Sequence, residues 1–108
     1  MIRGTTPTEE LLVDYDVIGW TCYVTIKGLG AQIDLTNDRL DMELVEEDGV
    51  EATRIRFALT QKETLKLKPG KAEVQVRAVR AGSPEDAIAT EVGDITVKKI
   101  LKEGEIHA

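Results

Sequence analysis

This 108-residue sequence predicts an all-β fold: an immunoglobulin-like β-sandwich of seven to eight strands, with one short helical turn near residues 61–66. Three observations lead there. Runs with apolar residues at every other position recur along the chain, the period of half-buried strands. Turn signals separate these runs at intervals of about 8–12 residues, the spacing of sandwich strands. Between residues 54 and 79, two such runs flank a capping-box pair and a Pro-Gly dipeptide, the pattern of a chain crossing from one sheet to another.

The elements follow in order. Residues 1–8, MIRGTTPT, are polar and hold Pro7, so they read as an extended arm. Glu9 to Val13 is a first strand, broken by Asp14, Asp16 and Gly19. Cys22, Val24 and Ile26 alternate with Thr21, Tyr23 and Thr25; after the turn Gly28-Leu29-Gly30, Ala31, Ile33 and Leu35 alternate with Gln32 and Asp34. Together they make a hairpin from Thr21 to Leu35. Leu40, Met42 and Leu44 form a strand whose outward acids suit a sheet edge, since charge there discourages stray pairing. Glu46 to Gly49 reads as a turn.

Ile55, Phe57 and Leu59 alternate with Arg54, Arg56 and Ala58. Thr60 and Glu63 have the spacing at which hydroxyl and carboxylate each satisfy a free N–H at a helix start. Leu65 and Leu67 return the chain to the core, Pro69-Gly70 suits a type II turn, and Ala72, Val74, Val76 and Ala78 mark the next strand. Ala81 to Pro84 reads as a loop, and Ala87 to Val92 and Ile95 to Val97 as the last strands. The expectation is one domain over residues 1–108, with the arm 1–8 and a polar tail 102–108.

Composition is compatible with this. At this length about two-thirds of the extended chain's surface is buried on folding, roughly 6,000 Å² remaining of about 17,000 Å². With only 4% aromatic residues the core must be aliphatic. Cys22 is the single cysteine, which excludes an intrachain disulfide and fits a reducing compartment. The start does not resemble a signal peptide, and no run approaches the roughly 20 apolar residues of a membrane helix, so no membrane partner is expected.

The net charge of −6 argues against nucleic acid as a partner, because phosphate neutralisation needs clustered cations. The charge is uneven: twelve acids and three bases in residues 1–53, two acids and eight bases in 54–80, six acids and three bases in 81–108. One reading is an unevenly solvated surface; the sharper one is that acidic and basic surfaces of neighbouring copies meet head to tail.

No catalytic, cofactor or metal residue is expected. His107 sits beside the C-terminus, where a general base lacks a fixed partner. Cys22 lies on an apolar strand face, where cysteine packs as a small hydrophobe. Gly28-Leu29-Gly30 is too short for a phosphate loop, and Asp34, Asn37, Asp38 and Asp41 lack the EF-hand order. The candidate interaction residues are Arg54, Arg56 and Arg77, a possible basic stripe, and Trp20 and Tyr23 with Tyr15, which are packing lids, interface anchors or a sugar platform.

Three segments carry a resemblance: MIRGTTPT at the start, LTQKETLKLKPGKAEVQVRAV at 59–79 and ITVKKILKEGEI at 95–106. In this order they resemble small proteins of the tail and baseplate modules of phages and prophages of Gram-positive bacteria. They are also similar to the N-terminal β-sandwich domain of phage baseplate upper proteins. The resemblance implies a non-enzymatic structural or adaptor subunit, binding copies of itself or other tail proteins as a homo-oligomer. It implies residence in the bacterial cytoplasm during assembly and then in the virion tail. Baseplate upper proteins continue into a long C-terminal part, so the shorter chain is expected to be a stand-alone subunit or an adaptor without a receptor-binding part. The alternative is a carbohydrate- or cell-surface-binding module built on the three aromatics.

Overall fold

The structure is a computed structural model that describes residues 1–107. Eight strands run in the order β1 Thr8–Val13, β2 Thr21–Gly28, β3 Ala31–Leu35, β4 Asp41–Glu47, β5 Val50–Ala58, β6 Gly70–Arg80, β7 Ser83–Ala89 and β8 Gly93–Val97. A 3-10 turn, Asn37–Arg39, precedes β4, and the helix α1, Gln61–Lys66, lies between β5 and β6. One sheet has the order β1-β5-β4; the other is β3-β2-β6-β7, with β8 also on β6. All these strand pairs are antiparallel. The chain crosses between the sheets after β1, β3 and β5. This is the B-E-D over C′-C-F-G order of an immunoglobulin-like sandwich.

The period-2 pattern explains the core. Cys22, Val24 and Ile26 of β2 and Val74, Val76 and Ala78 of β6 belong to one buried cluster with Val13 of β1 and Ile55 and Phe57 of β5. Each strand thus buries one face and leaves the other to water. The Cα extents of 45 × 29 × 27 Å describe an elongated body. Its 6976 Å² of accessible surface accordingly exceeds the roughly 6,000 Å² expected from mass alone.

The crossover through α1 forms as its sequence demands. Thr60 Oγ1 accepts from the Glu63 N–H at 3.1 Å, and Glu63 Oε1 accepts from the Thr60 N–H at 2.9 Å. Leu59 and Leu67, at 1% and 0% exposure, anchor the two ends. The carbonyls at the end of α1, which have no intrahelical donors, are met by Arg3: its Nε donates to Leu67 O at 2.6 Å and its Nη2 to Leu65 O at 3.0 Å. Arg3 Nη1 also pairs with Glu103 at 2.8 Å.

Several boundaries differ from expectation. The extended arm packs along its own sandwich. Lys98 N donates to Met1 O at 2.7 Å, Arg3 N donates to Lys98 O at 3.1 Å, and Thr64 Oγ1 donates to Thr5 O at 3.0 Å. The tail is also tied down, because the Gln61 amide exchanges two hydrogen bonds with the backbone of Ile106, at 2.9 and 3.0 Å.

The β4–β5 turn is shorter than read: Glu47 pairs with Val50 across Asp48-Gly49, whose φ angles of 52° and 79° are the two positive values a type I′ hairpin requires. Gly70, at φ 131°, opens β6 instead of occupying a type II turn. β7 begins at Ser83 and includes Pro84, four residues earlier than expected. Proline is tolerated there because β7 is an edge strand. Leu44 has the inward parity yet remains 45% exposed, because β4 is the edge of its sheet.

Candidate interaction surface

The antiparallel register gives the sandwich two unlike ends. At one lie the β1–β2 loop (14–20), the β4–β5 turn and the β6–β7 turn; at the other lie the β2–β3 turn, α1 and the end of β8. The first end holds an open groove of about 920 Å³ with Tyr15, Ile18, Trp20, Val50 and Ile88 in its lining. Asp14, Asp16, Glu51, Glu85 and Asp86 line it too, with Arg80 as the one cation.

Three polar side chains, of which only Thr53 is buried, shape the loop that walls this groove. Thr53 of β5, wholly buried, donates from Oγ1 to Tyr15 O at 2.8 Å and accepts from the Val17 N–H at 3.0 Å. Val17, also at 0% exposure, pins the loop to the core. Asp16 Oδ1 accepts from the Ile18 N–H at 3.1 Å, closing a local turn. Asn37 fixes the start of β2: its Nδ2 donates to Trp20 O at 2.9 Å and its Oδ1 accepts from the Cys22 N–H at 2.9 Å. Held in this way, the Tyr15 and Trp20 rings meet edge to face, centroids 5.6 Å apart at 70°.

The expected interaction residues are divided by the fold. Tyr15 and Trp20 share the groove, whereas Tyr23 stands 47% exposed on the outer face of the larger sheet. There it pairs across strands with Arg77 and lines a second depression of about 400 Å³, which adjoins the groove at Ala87 and Ile88. Arg54 and Arg56 lie on β5, in the other sheet, so the three arginines form no common stripe. The charges of Arg54 and Arg56 are engaged within the chain. Arg54 Nε lies 2.6 Å from Glu10 and its Nη1 3.6 Å from Glu43, and Arg56 Nε lies 3.8 Å from Glu10. The register places these acids on the strands flanking β5. Periodicity showed that all three arginines face outward; only strand order shows which way.

The remaining polar residues have local tasks. Asp34 accepts from Thr25 at 2.7 Å and from Gln32 at 3.1 and 3.2 Å, and Asp38 accepts from Thr36. Burial pushes the Cys22 thiol up. The Arg39 guanidinium, with two hydrogen bonds to Glu63 at 2.7 and 3.1 Å, holds the Glu63 carboxyl below the usual range. Among the described residues no group of three or more His, Cys, Asp or Glu side chains is placed to hold a metal. Among the described residues no helix is long and apolar enough to cross a membrane. The groove mixes aromatic and aliphatic side chains with carboxylates, a combination also found where proteins meet.

No family model and no curated protein matches this chain. Sequence reasoning missed Thr53 and Asn37, whose roles depend on distant loops, and the groove residues Ile18, Val50 and Ile88. The exposed apolar character of Ile18 and Val50 beside turn signals was the available clue.

Proposed function

We propose that the chain is a non-enzymatic structural or adaptor subunit of a bacteriophage or prophage tail or baseplate, working through protein–protein contact. One observation carries the reading. The three segments that bear the resemblance, far apart in sequence, meet in space as one unit. Arg3 of the first reaches Leu65 and Leu67 of the second and Glu103 of the third. Ile2 bridges to Lys98, and Gln61 pairs with Ile106. Segments that pack on one another constrain one another's sequence, so a shared set of motifs points to a shared building block. Mass spectrometry of purified virions and tail intermediates from the source bacterium tests the proposal. The chain should be present in fixed ratio to other tail proteins, and its absence from both would overturn the reading.

A carbohydrate-binding role retains support from the Tyr15–Trp20 pair in an open, carboxylate-lined groove. Cell-wall oligosaccharides that changed Trp20 fluorescence saturably would favour it over the first reading.

A further inference from the structure

The two ends of the sandwich differ in charge far more than the linear sequence indicates. All eight lysines fall in residues 27, 62–71 and 98–102, the segments that the fold gathers at the end opposite the groove. With Arg3 they make nine cations, against Glu63 within these segments and Glu103 and Glu105 just after them. At the groove end, residues 14–20, 46–51 and 80–86 hold eight acids against Arg80 alone. These charges are largely unspent within the chain. Among the described residues every ion pair uses an arginine, none uses a lysine, and Asp86 is the one groove-end acid that has a partner.

Shape follows charge. The lysine end carries an exposed apolar residue at a turn: Leu29, 62% exposed, stands between β2 and β3, flanked by Lys27 and the glycine that faces Lys68. The other end carries a recess in which acidic side chains stand among the apolar Ile18, Trp20, Val50 and Ile88. We propose that the Leu29 turn of one copy, flanked by Lys27 and Lys68, inserts into the acidic groove of the next, so that the chain assembles head to tail. This inference rests on the structural-subunit reading and names the partner as a second copy of this chain. Unlike patches on opposite ends make a heterologous contact, which propagates into a stack or closes into a ring. An end face of 29 × 27 Å offers on the order of 600 Å² per copy, at the lower edge of specific interfaces. The contact is therefore reversible and depends on salt, since exposed charges are screened beyond about 10 Å at 0.1 M.

The test uses the full chain in sedimentation velocity. At about 0.05 M salt the weight-average mass should rise with concentration to at least twice the 11.9 kDa of the monomer, and fall back to the monomer near 0.5 M, where screening is several-fold shorter. Leu29→Glu spoils the turn and leaves the groove; Ile18→Lys spoils the groove and leaves the turn. Each variant alone should be monomeric, while an equimolar mixture should give a dimer and nothing longer, because only one productive contact remains. Unchanged thermal melts establish that both variants fold. A mixture that stays monomeric, or a single variant that still associates, overturns the proposal. So does a groove that binds oligosaccharide while the wild type stays monomeric. None of these outcomes touches the virion measurement, so the tail assignment can stand where the head-to-tail contact fails.

Discussion

Replacing Thr53 with valine isolates the polar clamp that shapes the groove. Valine keeps the volume of threonine but removes the hydroxyl that accepts from Val17 N–H at 3.0 Å and donates to Tyr15 O at 2.8 Å. Thr53 and Val17 are both at 0% exposure, so water has little access to replace these bonds. Each buried polar group left without a partner costs about 1–3 kcal/mol, and the added methyl offsets about 0.8 kcal/mol. The net loss is about 1–5 kcal/mol, and at about 4–8 °C per kcal/mol for a domain of this size the melting temperature should fall by roughly 5–40 °C. Thr53→Ser is the control, since it keeps the hydroxyl and loses a methyl worth about 1 kcal/mol. Thermal unfolding followed by circular dichroism ranks the three proteins. Wild type should melt highest, serine next and valine lowest. A valine variant as stable as the wild type would show that the hydroxyl, and hence the loop clamp, contributes nothing.

Further expectations concern other ties. Arg3→Ala should cost about 2 kcal/mol by stranding the Leu65 and Leu67 carbonyls, and should loosen the 95–107 tail; amide exchange there is the measurement, and unchanged protection would contradict the tie. Ionised Glu63 stabilises the fold because its folded pKa is depressed by Arg39. That contribution is fully present above the unfolded value of about 4.3 and is lost as pH falls through the lower folded value. Glu63→Gln should therefore be less stable than wild type by about 1 kcal/mol near neutral pH, the loss being limited by partial exposure. The gap should close in acid, and a pH-independent gap would refute the linkage. Asn37→Ala frees Trp20 O and the Cys22 N–H, so Trp20 emission should shift to the red while the core stays folded. Cys22, at 0% exposure with its thiol pushed up, should react with thiol reagents at pH 8 only as fast as the protein unfolds; rapid native labelling would place it at the surface.

Strand existence and the α1 crossover were legible because their causes are local. Alternation in Cys22–Ile26, Ile55–Leu59 and Ala72–Ala78 reports burial of one face whatever the partner strand, and Thr60 and Glu63 satisfy N–H groups within the same turn. The β4–β5 turn and the β7 start were misplaced because Glu46, Glu47, Ser83 and Pro84 read as turn formers, while pairing with β5 and the edge position beside β6 make them strand.

By itself, then, the sequence determined the β-sandwich, its aliphatic core and the helical crossover, since near-neighbour chemistry and a two-residue period suffice for these. Only the tertiary structure decided that Arg77 faces away from Arg54 and Arg56, that Tyr15 joins Trp20 without Tyr23, and that the lysines gather opposite the acidic groove. Those outcomes depend on which strands pair and in what register, and pairing is settled by contacts between residues tens of positions apart.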